Sequence, residues 1–213
     1  MYDVLIIGGG VSGVSCGLIL GSAKQKPFVL DKKIGIILHQ KASSLQNAVF
    51  NNAYGIAFGK LGSELLKESS EHLQNSYPHV EQITNEKVMG IVGESGDFTV
   101  ITNKKSYKTK MICIGIGASN PFGITGLNEF VIPHKKAAVE KNRIQLQNDD
   151  HLVKAGIYVM GTLAGHRSQL SIAAGSGAAV ATDILTLWNN GNPVQVHESE
   201  EHTSELQSPR LIS

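Results

Sequence analysis

The run Val4-Leu5-Ile6-Ile7 leads directly into Gly8-Gly9-Gly10-Val11-Ser12-Gly13, and this stretch restricts the fold more than any other. Consecutive apolar residues read as a strand buried on both faces. They enter Gly8-x-Gly10-x-x-Gly13, the pattern of a strand–turn–helix unit that cradles a dinucleotide pyrophosphate. Gly8 permits the tight turn out of the strand, Gly10 lets the backbone approach the phosphates, and Gly13 lets the helix pack close to the strand. A helix opening near Val11 would turn its free amides and the positive end of its dipole toward those phosphates. The alternative is an ordinary glycine-rich turn, and context disfavours it. Phe28-Val29-Leu30 reads as a second apolar strand ending in Asp31, close to the ~20-residue offset at which an acid binds the adenosine ribose.

Length and charge set wide bounds. The 213 residues, 41% apolar and 17% charged, suit one folded domain with room for a small appendage. A formal net charge of +1 gives no electrostatic reason to expect nucleic acid or an anionic membrane as a partner. Val4–Gly21 lacks charge and is long enough to resemble a signal peptide or short membrane span. Its repeated glycines, and Asp3 rather than a basic run before it, fit the nucleotide unit better, so a cytoplasmic protein is expected. The two cysteines, Cys16 and Cys113, fall in apolar elements and read as packing thiols. Without C-x-x-C, neither a disulfide framework nor a zinc site is expected. Ser199–Pro209 reads as a translated adapter oligonucleotide, so residues 199–213 are expected to form a non-native tail outside the fold, with one domain over residues 1–190.

Along the chain, a helix is expected over about Val11–Ala23, with Lys24–Pro27 turning into the second strand. Lys32 and Lys33 could sit near an adenosine phosphate or simply in solvent. Ile34–Asn52 matches no single element; within it His39–Ser44, with Asn47, Asn51 and Asn52, makes a polar loop-like run whose amides and hydroxyls could reach a ligand. Leu61, Leu65, Leu66 and Leu73 mark an amphipathic helix stopped by Tyr77-Pro78. Val80–Ile83 is a short strand. Lys87–Val92, Asp97–Ile101 and Lys104–Tyr107 form a three-strand meander turning at Gly93–Gly96 and Thr102-Asn103. Met111–Ile114 and Ala155–Gly161 are buried strands, and a small-residue helix runs over about Gln169–Trp188. Apolar strands thus end in glycine at Gly8, Gly115 and Gly161, and open α/β sheets bind ligands at the carboxyl ends of their strands.

This order of elements resembles the flavin-binding half of thioredoxin-reductase-like flavoproteins, in the pyridine-nucleotide-disulfide oxidoreductase superfamily. The resemblance covers about Tyr2–Trp188 and is most specific at the N-terminal motif and at Gly161–Gly177. It implies a Rossmann-like α/β fold of a single domain, three layers around a parallel sheet with a β-meander, and FAD as cofactor. Under it Gly8, Gly10, Val11, Ser12 and Gly13 hold the pyrophosphate. Asp31, with Lys32 beside it, serves the adenosine, and Val88 meets adenine. Gly115 and Gly117 form the loop after the central strand. Gln40 and Asn52 face the flavin side, Gly161 and Thr162 the ribityl chain, and Gln169 and Leu170 the isoalloxazine edge.

Two departures shape the expectation. Thr162 stands where the family usually has an aspartate, so that contact loses its charge. Only about forty residues separate Ala118 from Gly161, against the ~100 residues of a nucleotide domain, and they contain neither a second glycine motif nor a cysteine. No nicotinamide domain or redox disulfide is therefore expected. The expectation is an FAD-dependent oxidoreductase reduced by an electron-donor protein or a small-molecule reductant, with a homodimer as one arrangement. A flavin-bearing subunit or sensor that needs a partner, and a simpler NAD-binding dehydrogenase, stay open. No nucleophile or general base stands out; His39, His134 and His166 are the candidate acids, His166-Arg167 the best placed.

Overall fold

A computed structural model describes residues 1–39 and 43–196; Gln40 and the 199–213 tail lie outside the described residues. The chain runs β1 (Tyr2–Ile7), α1 (Val11–Ser22), β2 (Ile34–Leu38), β3 (Val49–Phe50), β4 (Lys60–Leu61), α2 (Gly62–Ser76), β5 (Val80–Thr84), β6 (Val88–Glu94), β7 (Asp97–Thr102), β8 (Ser106–Ile114), β9 (Val131–Pro133), β10 (Ile144–Leu146), β11 (Leu152–Lys154), β12 (Ile157–Val159) and α3 (Leu170–Trp188).

The central sheet has the order β11-β12-β8-β1-β2-β5. β12, β8, β1, β2 and β5 are mutually parallel, and β11 is antiparallel at the edge. The side-chain alternation of β1 divides the core. Val4 and Ile6 face the helices, with Cys16, Leu20, Leu73, Val180 and Ile184. Leu5 and Ile7 face the other layer, with Phe98, Val100, Ile112 and Leu146. These are the three layers expected: helices, parallel sheet, and meander with its connecting segments.

Two strand assignments need correction. Phe28–Asp31 is a turn, not a strand, closed by Val29 N–H to the Lys26 carbonyl (2.8 Å) and Lys32 N–H to the Val29 carbonyl (2.9 Å). Pro27 cannot donate to a ladder, and Val29 plugs the helix-side core instead. The second strand is Ile34–Leu38, in the stretch that matches no single element in the sequence and just before the polar run at His39, with Ile37 opposite Ile7 of β1. Gly35 disguises it, but a β-carbon there would meet the Tyr2 ring at 2.7 Å. The third meander strand and the buried strand after it are one strand, β8. Its first half pairs with β7 and its second half with β1 and β12.

Asp3 ties β1 to its two neighbours near the start of the strand, accepting from Lys33 N–H (2.9 Å) and Lys110 Nζ (2.9 Å). Burial alone would raise its carboxyl, but these bonds outweigh burial and hold it below the usual carboxylate range. Cys16 and Cys113 are free, buried thiols, and burial pushes the Cys113 thiol well up. α3 is long and apolar enough to cross a membrane by length and composition; here it lies on α1, with Val180, Ala181, Ile184 and Leu185 buried.

Candidate functional site

The parallel strands end together at a cavity of about 1030 Å³. Its floor is the glycine loop. Gly8 has φ +119°, and a β-carbon on it would overlap the Gly115 carbonyl oxygen. Gly13 packs so tightly that a β-carbon would overlap the Gly8 carbonyl oxygen, so it supports the loop from behind the cavity. Gly10 differs: it lines the cavity in an extended conformation (φ −81°, ψ −175°), with nothing within 4 Å of a β-carbon placed on it. Gly117, also in the wall and with φ +84°, is open in the same way. Backbone is thereby laid bare to a ligand at two points, one on each of two adjacent strand ends.

Two helix N-termini join this floor. Val11 and Ser12 of α1, and Gln169 and Leu170 of α3, line the cavity. Gly177 lets α3 approach, since a β-carbon there would overlap the Ser12 carbonyl oxygen. Ser15 Oγ also donates to the Ala174 carbonyl (2.8 Å). The small-residue half of α3 thus serves helix–helix approach, and the result is two sets of first-turn amides near one space.

Most of the residues singled out in the sequence meet here. Gly8, Gly10, Val11, Ser12, Asn52, Val88, Gly115, Gly117, Gly161, Thr162, Gln169 and Leu170 all line the cavity. Asp31 and Lys32 do not. Once β2 is Ile34–Leu38, both precede it, at the N-terminal end of the parallel strands and so opposite Gly8, and Lys32 Nζ lies 5.5 Å over the Trp188 ring. The reading of Asp31 as the ribose acid is corrected with the strand that carried it. The residue that follows β2 into the cavity wall is His39.

Sequence reasoning missed Glu86, Lys87 and the Lys141–Arg143 segment, all in the wall. Glu86 is buried, accepting from Thr102 Oγ1 (2.7 Å) and Tyr107 Oη (2.9 Å). Burial would raise its carboxyl, but the two hydrogen bonds outweigh that and hold it low. Burial and the Glu86 bond raise the Tyr107 hydroxyl, which stays protonated and able to donate. No local motif announces these residues; the meander and a later hairpin bring them in.

Behind Gly161 lies a polar cluster. Gly161 N–H donates to Ser176 Oγ (2.8 Å), which lies 3.0 Å from His151 Nε2. His151 Nε2 is in turn 3.1 Å from His166 Nε2. His151 and Asp150 have φ of +73° and +42°, and the buried His151 Nδ1 has no hydrogen-bond partner among the described residues, with Asp150 Oδ1 at 3.6 Å. His166 is therefore engaged behind the cavity rather than in it. His134 Nδ1 accepts from Lys136 N–H (3.1 Å) in its own turn. Of the three histidines considered as acids, His39 alone lines the cavity.

Comparison with known proteins identifies a family and a fold. Residues 2–168 match the family described as pyridine nucleotide-disulphide oxidoreductase. The sequence is 29% identical over 161 residues to a ferredoxin–NADP reductase of Pediococcus pentosaceus, covering 73% of this chain and 47% of that protein. It is 26% identical over 144 residues to an uncharacterized oxidoreductase, CzcO, of Bacillus velezensis, covering 63% of this chain and 41% of that one. The chain spans less than half the length of these curated relatives. In fold it is similar to a thioredoxin reductase from Gloeobacter violaceus, with a TM-score of 0.70 at 13% identity over 93% of this chain and 98% of the other.

Proposed function

Because the chain belongs to the pyridine nucleotide-disulphide oxidoreductase family, we propose that its cavity holds FAD and that the protein is an FAD-dependent oxidoreductase. One observation carries the reading: the bare backbone at Gly10 and Gly117 and the N-termini of α1 and α3 converge on one cavity of about 1030 Å³. A side chain at either glycine would fill space that a dinucleotide needs, so the residues present fit the group. Gly8, Gly10, Val11 and Ser12 would hold its pyrophosphate with backbone amides and the α1 dipole. Val88 and the Glu86 turn would flank the adenosine, and no acid follows β2 to meet its ribose. Asn52, Thr162, Gln169 and Leu170 line the flavin end, where Thr162 offers a hydroxyl instead of a charge.

When bound, FAD supplies two-electron redox chemistry. The α3 N-terminus would stabilise negative charge developing beside it. The first test is identification of the cofactor: denature the purified protein, separate what is released, and read its spectrum and retention. FAD is expected; FMN or NAD alone would overturn the reading.

A further inference from the structure

The nucleotide motif leaves one wall of the cavity unexplained, the wall supplied by the segment between β8 and β12. The hairpin β9–β10 carries Lys141, Asn142 and Arg143 to that wall. Backbone bonds fix it there: Ile144 N–H donates to the Ala118 carbonyl (3.1 Å), and His134 N–H to the Arg143 carbonyl (3.0 Å). Asn120 Nδ2 also donates to Asn142 Oδ1 (3.0 Å). Ala118 ends the turn that starts at Gly115, whose carbonyl abuts Gly8. Arg143 is thus anchored, through one short turn, to the loop that would hold the phosphates.

The charge on this wall is lopsided. Lys87, Lys141 and Arg143 line the cavity, while Glu86, the acid beside them, already accepts from Thr102 and Tyr107. Arg143 is half-buried and, among the described residues, its guanidinium makes no ion pair or hydrogen bond. A partly desolvated cation without a partner is unfavourable until an anion arrives, and the planar guanidinium fork matches phosphate oxygens two at a time.

We propose that Arg143 is a binding residue for the diphosphate of the cofactor, reinforced by Lys141, so that the β9–β10 hairpin is part of the dinucleotide site. This rests on the FAD reading above and extends it to a segment outside the glycine motif.

The test compares wild type, Arg143→Ala, Arg143→Lys and Lys141→Ala as full-length protein. FAD release on dilution, followed by flavin fluorescence, gives the dissociation constant, and ADP serves as competitor. Loss of a charge-assisted hydrogen bond should weaken FAD about tenfold or more in Arg143→Ala. ADP should weaken by the same factor, Arg143→Lys should recover part of the affinity, and the salt dependence should flatten. Circular dichroism separates lost binding from lost structure, and Arg143→Lys carries the comparison if the alanine variant does not fold. FAD affinity unchanged in Arg143→Ala overturns the proposal alone, as does weaker FAD with unchanged ADP, which would put the guanidinium at the flavin end. A wild-type chain that binds neither FAD nor ADP overturns the FAD reading and the proposal with it.

Discussion

At the scale of single residues, the three motif glycines separate binding from folding. Gly10 caps α1 in an extended conformation open to any side chain, with free space around its β-position. Gly10→Leu should therefore cost the fold about 1 kcal/mol or less, the range for a changed N-cap, yet abolish FAD binding by filling the phosphate space. Gly13→Ala should do the reverse. Its methyl would overlap the Gly8 carbonyl, and overpacking of that kind costs about 1–3 kcal/mol. Urea unfolding with flavin retention, measured on both variants, checks the contrast; equal loss of cofactor and stability in both would contradict it. Histidines set a second expectation. Burial holds the His79 imidazole below its ordinary value, its ring 3.0 Å from the Gly21 carbonyl. Burial and the neighbouring His151 do the same to His166. The unfolded chain then takes up protons before the folded one as pH falls below about 6.5. Stability should be present above that pH and be lost as pH falls through the depressed folded values. Unfolding midpoints between pH 7.5 and 5 should show the decline, and His79→Asn with His166→Asn should flatten it. An undiminished decline in the double variant would assign it elsewhere.

At the scale of elements, α3 offers the sharpest test of how the site works. Gln169 is its N-cap and Leu170 its first helical residue, and both line the cavity. Proline is well tolerated at that first position, where its fixed φ suits the helix. Leu170→Pro should thus leave the fold intact while removing one amide aimed at the ligand. If that amide faces the pyrimidine edge of the flavin, the reduced form loses about 0.3–1 kcal/mol of stabilisation and the reduction potential falls. Dye-equilibration potentiometry on wild type and variant measures this, and an unchanged potential with flavin still bound would count against the geometry. The same scale shows what the sequence made legible. β1, the first turn of α1 and the small face of α3 were readable because backbone approach leaves glycine as the fitting residue, and Gly13 and Gly177 prove to lie against carbonyl oxygens. β2 was misread because two apolar runs compete at nearly the same offset. Phe28–Leu30 matched the spacing of the acid, whereas the true strand carries Gly35 to make room for the Tyr2 ring. Arg143 and Glu86 reach the cavity only through long-range pairing, which no local pattern encodes.

At the scale of the whole molecule, the connection between β8 and β12 decides where electrons could come from. In this chain it is a hairpin, a few short turns and the edge strand β11, bonded back to Ala118 and packed on the meander layer through Ile124, Leu127, Ile144 and Leu146. Nothing in it repeats the strand–glycine–helix unit of β1 and α1, so on the FAD reading the single nucleotide motif is already filled. Cys16 and Cys113 are neighbouring thiols, but both are fully buried between α1 and the sheet, and burial together with the Cys16 hydrogen bond keeps the Cys113 thiol protonated, so the pair offers no accessible thiolate for an internal relay. The flavin would then present one ring face to a small molecule, a partner protein or a second subunit. We expect slow or no bleaching of the flavin by NADPH or NADH, no thioredoxin reductase activity, and ready reduction by dithionite. Anaerobic stopped-flow mixing, followed at the flavin absorption band, is the deciding measurement. A rate that rises with NADPH concentration and saturates would require a nicotinamide site, and the first place to seek it would be the cationic wall of Lys87, Lys141 and Arg143. Arg143→Ala would then lower the NADPH rate along with FAD affinity, whereas a rate flat in NADPH leaves that wall to the pyrophosphate.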